Sequence, residues 1–494
     1  MGRPGETTEP RYRNYVGGEW VEPSGTELRP DQNPADTREV LGDFPRSSEA
    51  DVQRAVDAAA AAFPGWRRTS GPQRSAILTR AAEILERRAR EVGEALTREE
   101  GKTIGEGVGE ANRGAQILRF FAGEPLRAFG ETYSASNPET FLFTERVPLG
   151  VVGVITPWNF PVAIPVWKLA PCLAYGNTAV FKPAELTPLT AHLITEVFAE
   201  AGLPAGVLNL VHGPGDVVGE ALARNPSVNA ITFTGSNAVG RHLHHVASEH
   251  GAKVQLELGG KNPVIVAADA DLNQAVEITT SGAMRSTGQK CTATSRVIVV
   301  EPVLRDFTDA LVARARSLKV GPGMDPSSYM GPLVSEERRR AVLDYVAVGR
   351  QEGARLLTGG EPLTGPPFAH GHYVAPTVFA EVAPQMKIAQ EEIFGPVVAV
   401  IPAKSLDDAI EIANGVGFGL SASLVTRDIR RAFDFIRAIE AGVVHVNSET
   451  AGAEPHVPFG GMKGSSSYSR EQGRAAIEFF TQLKTVYLDM PPAG

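Results

Sequence analysis

The sequence predicts an α/β protein with two parallel-sheet domains and a small β element outside them. Three observations carry this. The chain has 494 residues, too many for one simple core, so two or three domains are expected. From Val151 short apolar runs alternate with helical stretches: strands at 151–155, 177–182, 207–211 and 230–233, with a helix at 190–201 that stops at Gly202 before Pro204. After Gly260 the same rhythm restarts, with strands at 264–267, 297–300, 397–401, 421–425 and 443–446 and a helix near Leu272. Strand–helix alternation of this kind feeds a parallel sheet covered on both faces.

The N-terminal part reads differently. Residues up to about Pro45 are extended and turn-rich, and Gly17-Gly18 before Glu19-Trp20-Val21 suggests a hairpin. Ser48 and Asp51 have capping-box spacing, and Val52, Val56 and Phe63 behind them mark the inner face of a helix. A second helix follows Pro72, with Ile77, Leu78, Ala81, Leu85 and Val92 on one side, and runs to Gly101. Residues 131–147 and 481–488 alternate like strands but belong to neither sheet. These patterns place the domain boundary near Gly259-Gly260.

Composition excludes several classes. Hydrophobic residues at 43% and charged residues at 21% are those of an ordinary globular protein. A net charge of −9 with no basic cluster argues against a nucleic-acid partner. Two cysteines build no disulfide framework, which suggests a reducing compartment. No apolar segment follows the N-terminus, and the longest apolar runs fall far below membrane-spanning length. The expectation is a cytoplasmic protein without a membrane partner, and no metal site is assigned.

Three segments carry chemistry. Gly288-Gln289-Lys290-Cys291 places a cysteine among small residues that leave access to it, whereas Cys172 sits in apolar Ala170-Pro171-Cys172-Leu173-Ala174 and reads as structural. Glu257, between Leu256 and Leu258, offers a partly desolvated carboxylate; strand alternation alone also permits it to face outward. Asn159, between Pro157 and Pro161, offers an amide donor or a turn former. Nucleophile, base and oxyanion donor together suit covalent chemistry on a carbonyl. A thiolate converts an aldehyde to a tetrahedral adduct able to release hydride, and the thioester left behind is open to water.

The glycine pattern Gly-x-Gly-x-x-Gly that marks many dinucleotide sites is missing after every strand. In its place Thr234-Gly235-Ser236 follows strand 230–233, a turn whose backbone donors suit a pyrophosphate or merely join strand to helix. Lys182 and Glu185 follow strand 177–182, where nucleotides bind at the ends of parallel sheets, or are two solvated loop charges.

The order and wording of these motifs, from about Tyr15 to Leu488, resemble the aldehyde dehydrogenase superfamily. The resemblance implies NAD as cofactor, with Lys182 and Glu185 at the adenosine ribose and Ser236 at a phosphate. Glu392 would meet the nicotinamide ribose and Phe394 the ring, with Thr156, Trp158, Gly235 and Leu258 also at the cofactor. The Glu185 carboxylate would repel a 2′-phosphate; Lys182 offsets part of that, so NADP stays open. The resemblance makes Lys168 and Glu471 a proton relay to Glu257, although Lys168 also reads as a structural ion-pair partner. Retention of Glu257 points to hydrolytic rather than coenzyme-A-acylating members. By position, Phe160, Trp167 and Phe459 line the aldehyde channel.

The implied domains are a dinucleotide-binding unit of 1–128 and 149–259, a catalytic unit of 260–460, and an oligomerisation element and arm of 129–148 and 461–494. They imply a homodimer or homotetramer. Arg285, six residues before Cys291, is similar to a carboxylate-binding arginine of succinic semialdehyde dehydrogenases, or is a helix-surface or interface arginine. Residues 456–473 resemble α-ketoglutaric semialdehyde dehydrogenases. The loop 448–455 has no aromatic residue, which suits a polar aldehyde, but carries Glu449 and Glu454, which oppose an anionic one if they point inward. A small ω-semialdehyde of a dicarboxylic acid is the expected substrate. The alternatives are a broad-range or betaine-type aldehyde dehydrogenase and a non-catalytic dinucleotide-binding protein.

Overall fold

The computed structural model describes residues 10–127 and 129–490. A seven-stranded sheet runs in the order Lys253–Glu257, Ala230–Thr234, Val151–Ile155, Thr178–Lys182, Leu208–Leu210, Asn14–Val16, Glu19–Val21. The first five strands are parallel, and the N-terminal hairpin joins antiparallel with Tyr15 opposite Leu210. Every residue of Val151–Ile155, Thr178–Lys182 and Ala230–Thr234 is buried, which is why these strands are continuous apolar runs rather than alternating ones.

The register of this sheet positions the site. Ile155 lies beside Lys182 and Phe233, and Thr234 beside Glu257. Thr156, Gly235 and Leu258 therefore leave the sheet along one carboxyl edge, where open α/β sheets bind their ligands.

A second seven-stranded sheet runs Arg355–Thr358, Thr377–Ala380, Val397–Ala403, Thr294–Val300, Asn262–Val266, Ser421–Val425, Val443–Val446. All its pairings are parallel except that of the outermost strand Arg355–Thr358. Asn262 and Thr294 are paired where their strands begin, so Cys291 arrives at the amino edge of this sheet, just before Thr294. Gly259 and Gly260 carry the chain from the carboxyl edge of one sheet to the amino edge of the other.

The two alternating segments pair as expected: Thr481–Asp489 lies antiparallel along all of Thr140–Pro148, with Thr132–Tyr133 on the far side. This small sheet leaves Phe141, Tyr487 and Leu488 exposed. Among the described residues no helix is long and apolar enough to cross a membrane.

Three expectations need correction. The helix after Pro72 is two helices, Gly71–Arg87 and Ala89–Glu100, broken at Arg88, whose backbone leaves the helical region (φ −92, ψ 7). No glycine or proline marks that break; the Arg88 guanidinium is held outside the helix pair by Glu196 at 2.8 Å. Phe63 is only half-buried and lies under Arg67, while Ala59 and Trp66 take the inner positions of the helix Glu49–Trp66. Between Gly101 and Glu131, a stretch given no element from its sequence, stands a 19-residue helix, Ile104–Ala122. Two of its glycines are contact points: a Cβ at Gly107 would lie 2.5 Å from the Gly93 carbonyl, and one at Gly114 2.9 Å from Leu85 and Val162.

Candidate active site

Two clefts meet at Cys291. One, of about 690 Å³, is walled by the carboxyl edge of the first sheet; the other, of about 990 Å³, lies among helices and loops. Cys291 is the only residue common to the two linings.

The nucleophile segment is held in an unusual backbone. Ser286, Thr287 and Gly288 all adopt left-handed conformations, with φ of 51°, 55° and 67°. For the two L residues this costs about 1–2 kcal/mol each, so the surroundings must enforce it. They do. The Ser286 amide and hydroxyl both donate to Glu106, at 2.7 and 3.1 Å, and the Thr287 hydroxyl donates to the Gly331 carbonyl at 3.1 Å. A Cβ at Gly288 would lie 2.2 Å from the Gly395 carbonyl oxygen. Beyond it, the Asn262 amide donates to the carbonyls of Cys291 and Ala293, at 2.8 and 2.9 Å.

Cys291 is partly exposed, whereas Cys172 is fully buried, as the sequence suggested. Burial, then the charges of Glu392 and Glu257, push the Cys291 thiol up to about 12. The resting sulfur is protonated, and a base must take its proton as it reacts.

Asn159 lines the sheet-side cleft beside Cys291 and is 3% exposed. One of its amide hydrogens goes to the Gln289 carbonyl at 3.0 Å; the other remains for a ligand. Lys102, 1% exposed, fixes it from behind. Its ammonium donates to the Asn159 carbonyl and to Glu110, each at 2.8 Å, and sits 4.2 Å above the Phe160 ring. Glu110 in turn accepts the Val162 and Ala163 amides at the start of the helix Ala163–Ala174.

Glu257 faces inward: it is 2% exposed and lines neither cleft directly. One carboxylate oxygen accepts from the Ser466 hydroxyl at 2.6 Å; the other is buried without a protein partner. Burial, and next the charge of Glu471, hold its pKa well above the usual carboxylate range. Lys168, fully buried, bonds Glu471 closely and donates to the Thr232 hydroxyl at 2.9 Å. The three side chains named from sequence as base and relay thus form one buried cluster.

The sheet-side cleft has the parts a dinucleotide needs. Ser236 caps the 12-residue helix Asn237–Ser248, whose amino end carries unpaired N–H groups toward an anion. Trp158 and Phe394 meet edge-to-face at 5.3 Å as an apolar corner, and Gly235 and Leu258 also line the cleft. Glu392 accepts the Gly260 amide through one oxygen at 3.0 Å, leaving the other for a ribose hydroxyl.

Three residues expected here stand apart. Thr156 is buried just outside the lining. Lys182 is 5% exposed, donates to the neighbouring Pro183 carbonyl at 2.8 Å, and is brought down to about 8 by burial. Glu185 is not a lone carboxylate: Arg29 and Arg46 pair with it at 3.3 and 3.4 Å beside a separate, smaller cavity of about 270 Å³. The repulsion of a 2′-phosphate argued from Glu185 is therefore largely cancelled by two guanidiniums.

The helix-side cleft is lined by Phe160, Trp167 and Phe459, the last two 5.4 Å apart. Cations share it: Arg285, stacked 4.7 Å over Tyr329, Lys290, Lys102 and Arg113. Of the two loop carboxylates, Glu449 lines the cleft, while Glu454 turns aside to pair with Arg113 at 3.4 Å.

Comparison with known proteins agrees with this geometry. The model of the aldehyde dehydrogenase family matches residues 20–486. The chain belongs to the aldehyde dehydrogenase family. It is 51% identical to an α-ketoglutaric semialdehyde dehydrogenase of Bacillus subtilis, covering 98% of this chain and 99% of that protein. Identity to an α-ketoglutarate semialdehyde dehydrogenase of Haloferax volcanii is 48%, over 96% and 98% of the two chains. Betaine aldehyde dehydrogenase of Staphylococcus aureus, solved in complex with NAD, superposes with a TM-score of 0.95 at 33% identity, over 97% and 95% of the chains.

Within this aldehyde dehydrogenase several site residues were illegible from sequence. Lys102, Glu110, Asn262 and Ser466 hold Asn159, Val162, Cys291 and Glu257 from 57, 52, 29 and 209 positions away, and no local pattern announces such contacts. Glu106 had a signal: Thr103 and Glu106 form a capping box, and the same carboxylate reaches Ser286.

Proposed function

We propose that this aldehyde dehydrogenase oxidises an ω-semialdehyde of a dicarboxylic acid, α-ketoglutaric semialdehyde above others, to the free acid, with NAD or NADP as oxidant. The observation that carries the reading is the position of Cys291 where the two clefts join. A carbonyl held in the cationic cleft and an oxidant held in the sheet-side cleft both reach its sulfur. The names of the relatives at 51% and 48% identity support the substrate. The lining of the helix-side cleft sets four cations, Lys102, Arg113, Arg285 and Lys290, against three carboxylates, Glu106, Glu110 and Glu449, a balance that favours an anionic aldehyde over a trimethylammonium one.

Glu257 takes the thiol proton, and the Cys291 sulfur adds to the aldehyde carbon. Asn159 and the Cys291 backbone N–H hold the resulting oxyanion; one such donor is typically worth about 3 kcal/mol in the transition state. When bound, the nicotinamide dinucleotide supplies the acceptor for the hydride that leaves this carbon with its electron pair. A thioester to Cys291 remains. Glu257 first passes the thiol proton on, then removes a proton from water; the water oxygen adds to the acyl carbon, the carbon–sulfur bond breaks to release the acid, and the sulfur takes its proton back from Glu257. The surplus proton passes through the Glu257, Glu471 and Lys168 cluster.

On the same reading residues 1–128 and 149–259 serve the dinucleotide, 260–460 the chemistry, and the small sheet joins copies into a homodimer or homotetramer. The exposed Phe141, Tyr487 and Leu488 support that last role. Steady-state rates on α-ketoglutaric semialdehyde, succinic semialdehyde, betaine aldehyde and propanal, each with NAD and NADP, test the proposal. The expected order puts the two semialdehydes first; equal kcat/KM on all four aldehydes would overturn it. The Arg29–Glu185–Arg46 group leads us to expect measurable turnover with NADP as well as NAD.

A further inference from the structure

Lys290, the residue immediately before the nucleophile, has no part in the chemistry described above, yet it is 7% exposed and lines the helix-side cleft. Its ammonium carries three donors. Among the described residues it makes one long hydrogen bond, to the Ser281 carbonyl at 3.4 Å. Its nearest carboxylate, Glu449, stands 4.0 Å away, at the limit of an ion pair and beyond hydrogen-bond reach. That Glu449 oxygen is itself buried without a hydrogen-bond partner.

A buried ammonium so thinly satisfied is costly unless a ligand completes it. The other cations of the cleft are paired or open to solvent. Lys102 is committed to Glu110 and the Asn159 backbone carbonyl, and Arg113 to Glu454, while Arg285 is exposed to water and stands 4.7 Å over the Tyr329 ring.

We propose that Lys290 is a specificity-determining residue, binding the carboxylate at the far end of the semialdehyde while Glu449 competes for the same ammonium. The inference rests on the proposed semialdehyde oxidation and adds its recognition element. Because Lys290 adjoins Cys291 in the chain, a short anionic aldehyde can span from the sulfur to the ammonium. Glu449 sits on the loop 448–455 and is one-third exposed, so it can yield its place to the substrate.

The test is the ratio of kcat/KM for α-ketoglutaric semialdehyde to kcat/KM for propanal, in the wild type, K290M, K290R and E449Q. The wild-type ratio should be high. K290M should lower it by about 10–100-fold, mostly through KM, the usual scale for a buried charge-assisted hydrogen bond. K290R should recover part of the loss, and E449Q should raise the ratio by lowering KM for the anionic aldehyde. A wild-type ratio near one defeats the semialdehyde reading itself. A high wild-type ratio that stays within about threefold in K290M, or an E449Q variant that raises KM, defeats the role of Lys290 alone. Should K290M not fold, the E449Q and K290R arms decide the matter.

Discussion

The two clefts that meet at Cys291 are built on different principles. The sheet-side cleft is made of strand ends and backbone: Gly235, Leu258 and Gly259 reach it because three parallel strands end in register. The helix-side cleft is made of side chains, the aromatic rings of Phe160, Trp167 and Phe459 and the charged groups of Lys102, Arg113, Arg285, Lys290 and Glu449, brought together from separate parts of the chain. One cleft is fixed by topology, and any chain with this sheet will have it. The other depends on which side chains happen to converge, and there a few substitutions change the substrate without disturbing the fold. The difference explains why a relative at 33% identity has the same architecture while its name specifies another aldehyde.

The most drastic way to break this comparison is to remove the junction. Cys291→Ala should lower NADH production by about 10⁴-fold or more while dinucleotide binding, followed by fluorescence titration, persists. Surviving oxidation in that variant would end the covalent scheme. Glu257→Gln should cost about 10²–10⁴-fold in kcat. Stopped-flow traces sharpen its role: a burst of NADH before the slow steady state means that water activation has failed, and no burst means that the thiol has lost its base.

A smaller effect separates the clefts. Glu185→Gln frees Arg29 and Arg46, and should shift the NADP-to-NAD ratio of kcat/KM upward by about tenfold while leaving the order of aldehydes intact. A changed aldehyde order would show that the clefts are not independent.

The smallest expected change is in pH dependence. Glu257 works unprotonated, and burial and Glu471 raise its pKa, so activity is lost as pH falls through that raised value. Glu471→Gln removes the repelling charge and leaves Lys168 nearby; both lower the pKa of Glu257. The acidic limb of the pH–rate profile should therefore move to lower pH. A limb that stays in place or moves upward would detach Glu471 from the base.

Legibility followed the same divide. The strands of both sheets could be read because residues buried on both faces leave long β-branched and apolar runs, as in Val151–Ile155 and Thr294–Val300. The nucleophile could be read from its contrast with Cys172, whose apolar neighbours gave it away. The break at Arg88 and the glycine-bearing helix Ile104–Ala122 could not: no glycine or proline marks the first, where Arg88 pairs with both Glu91 and distant Glu196, and the glycines of the second are points of close helix packing. Lys182 and Glu185 follow the strand Thr178–Lys182 as read, but the partners of Glu185, Arg29 and Arg46, lie more than a hundred residues away and alter what that carboxylate can do.

By itself the sequence determined the two-sheet α/β architecture, the contrast between Cys291 and Cys172, and Glu257 as a carboxylate set between two leucines. These depend on periodicity and on residue chemistry, both of which are local. Only the tertiary structure decided that Glu257 shares its burial with Glu471 and Lys168, that Lys102 stands behind Asn159, and that Lys290 faces the aldehyde cleft. Electrostatic environment is a sum over neighbours in space, and a linear pattern does not contain that sum.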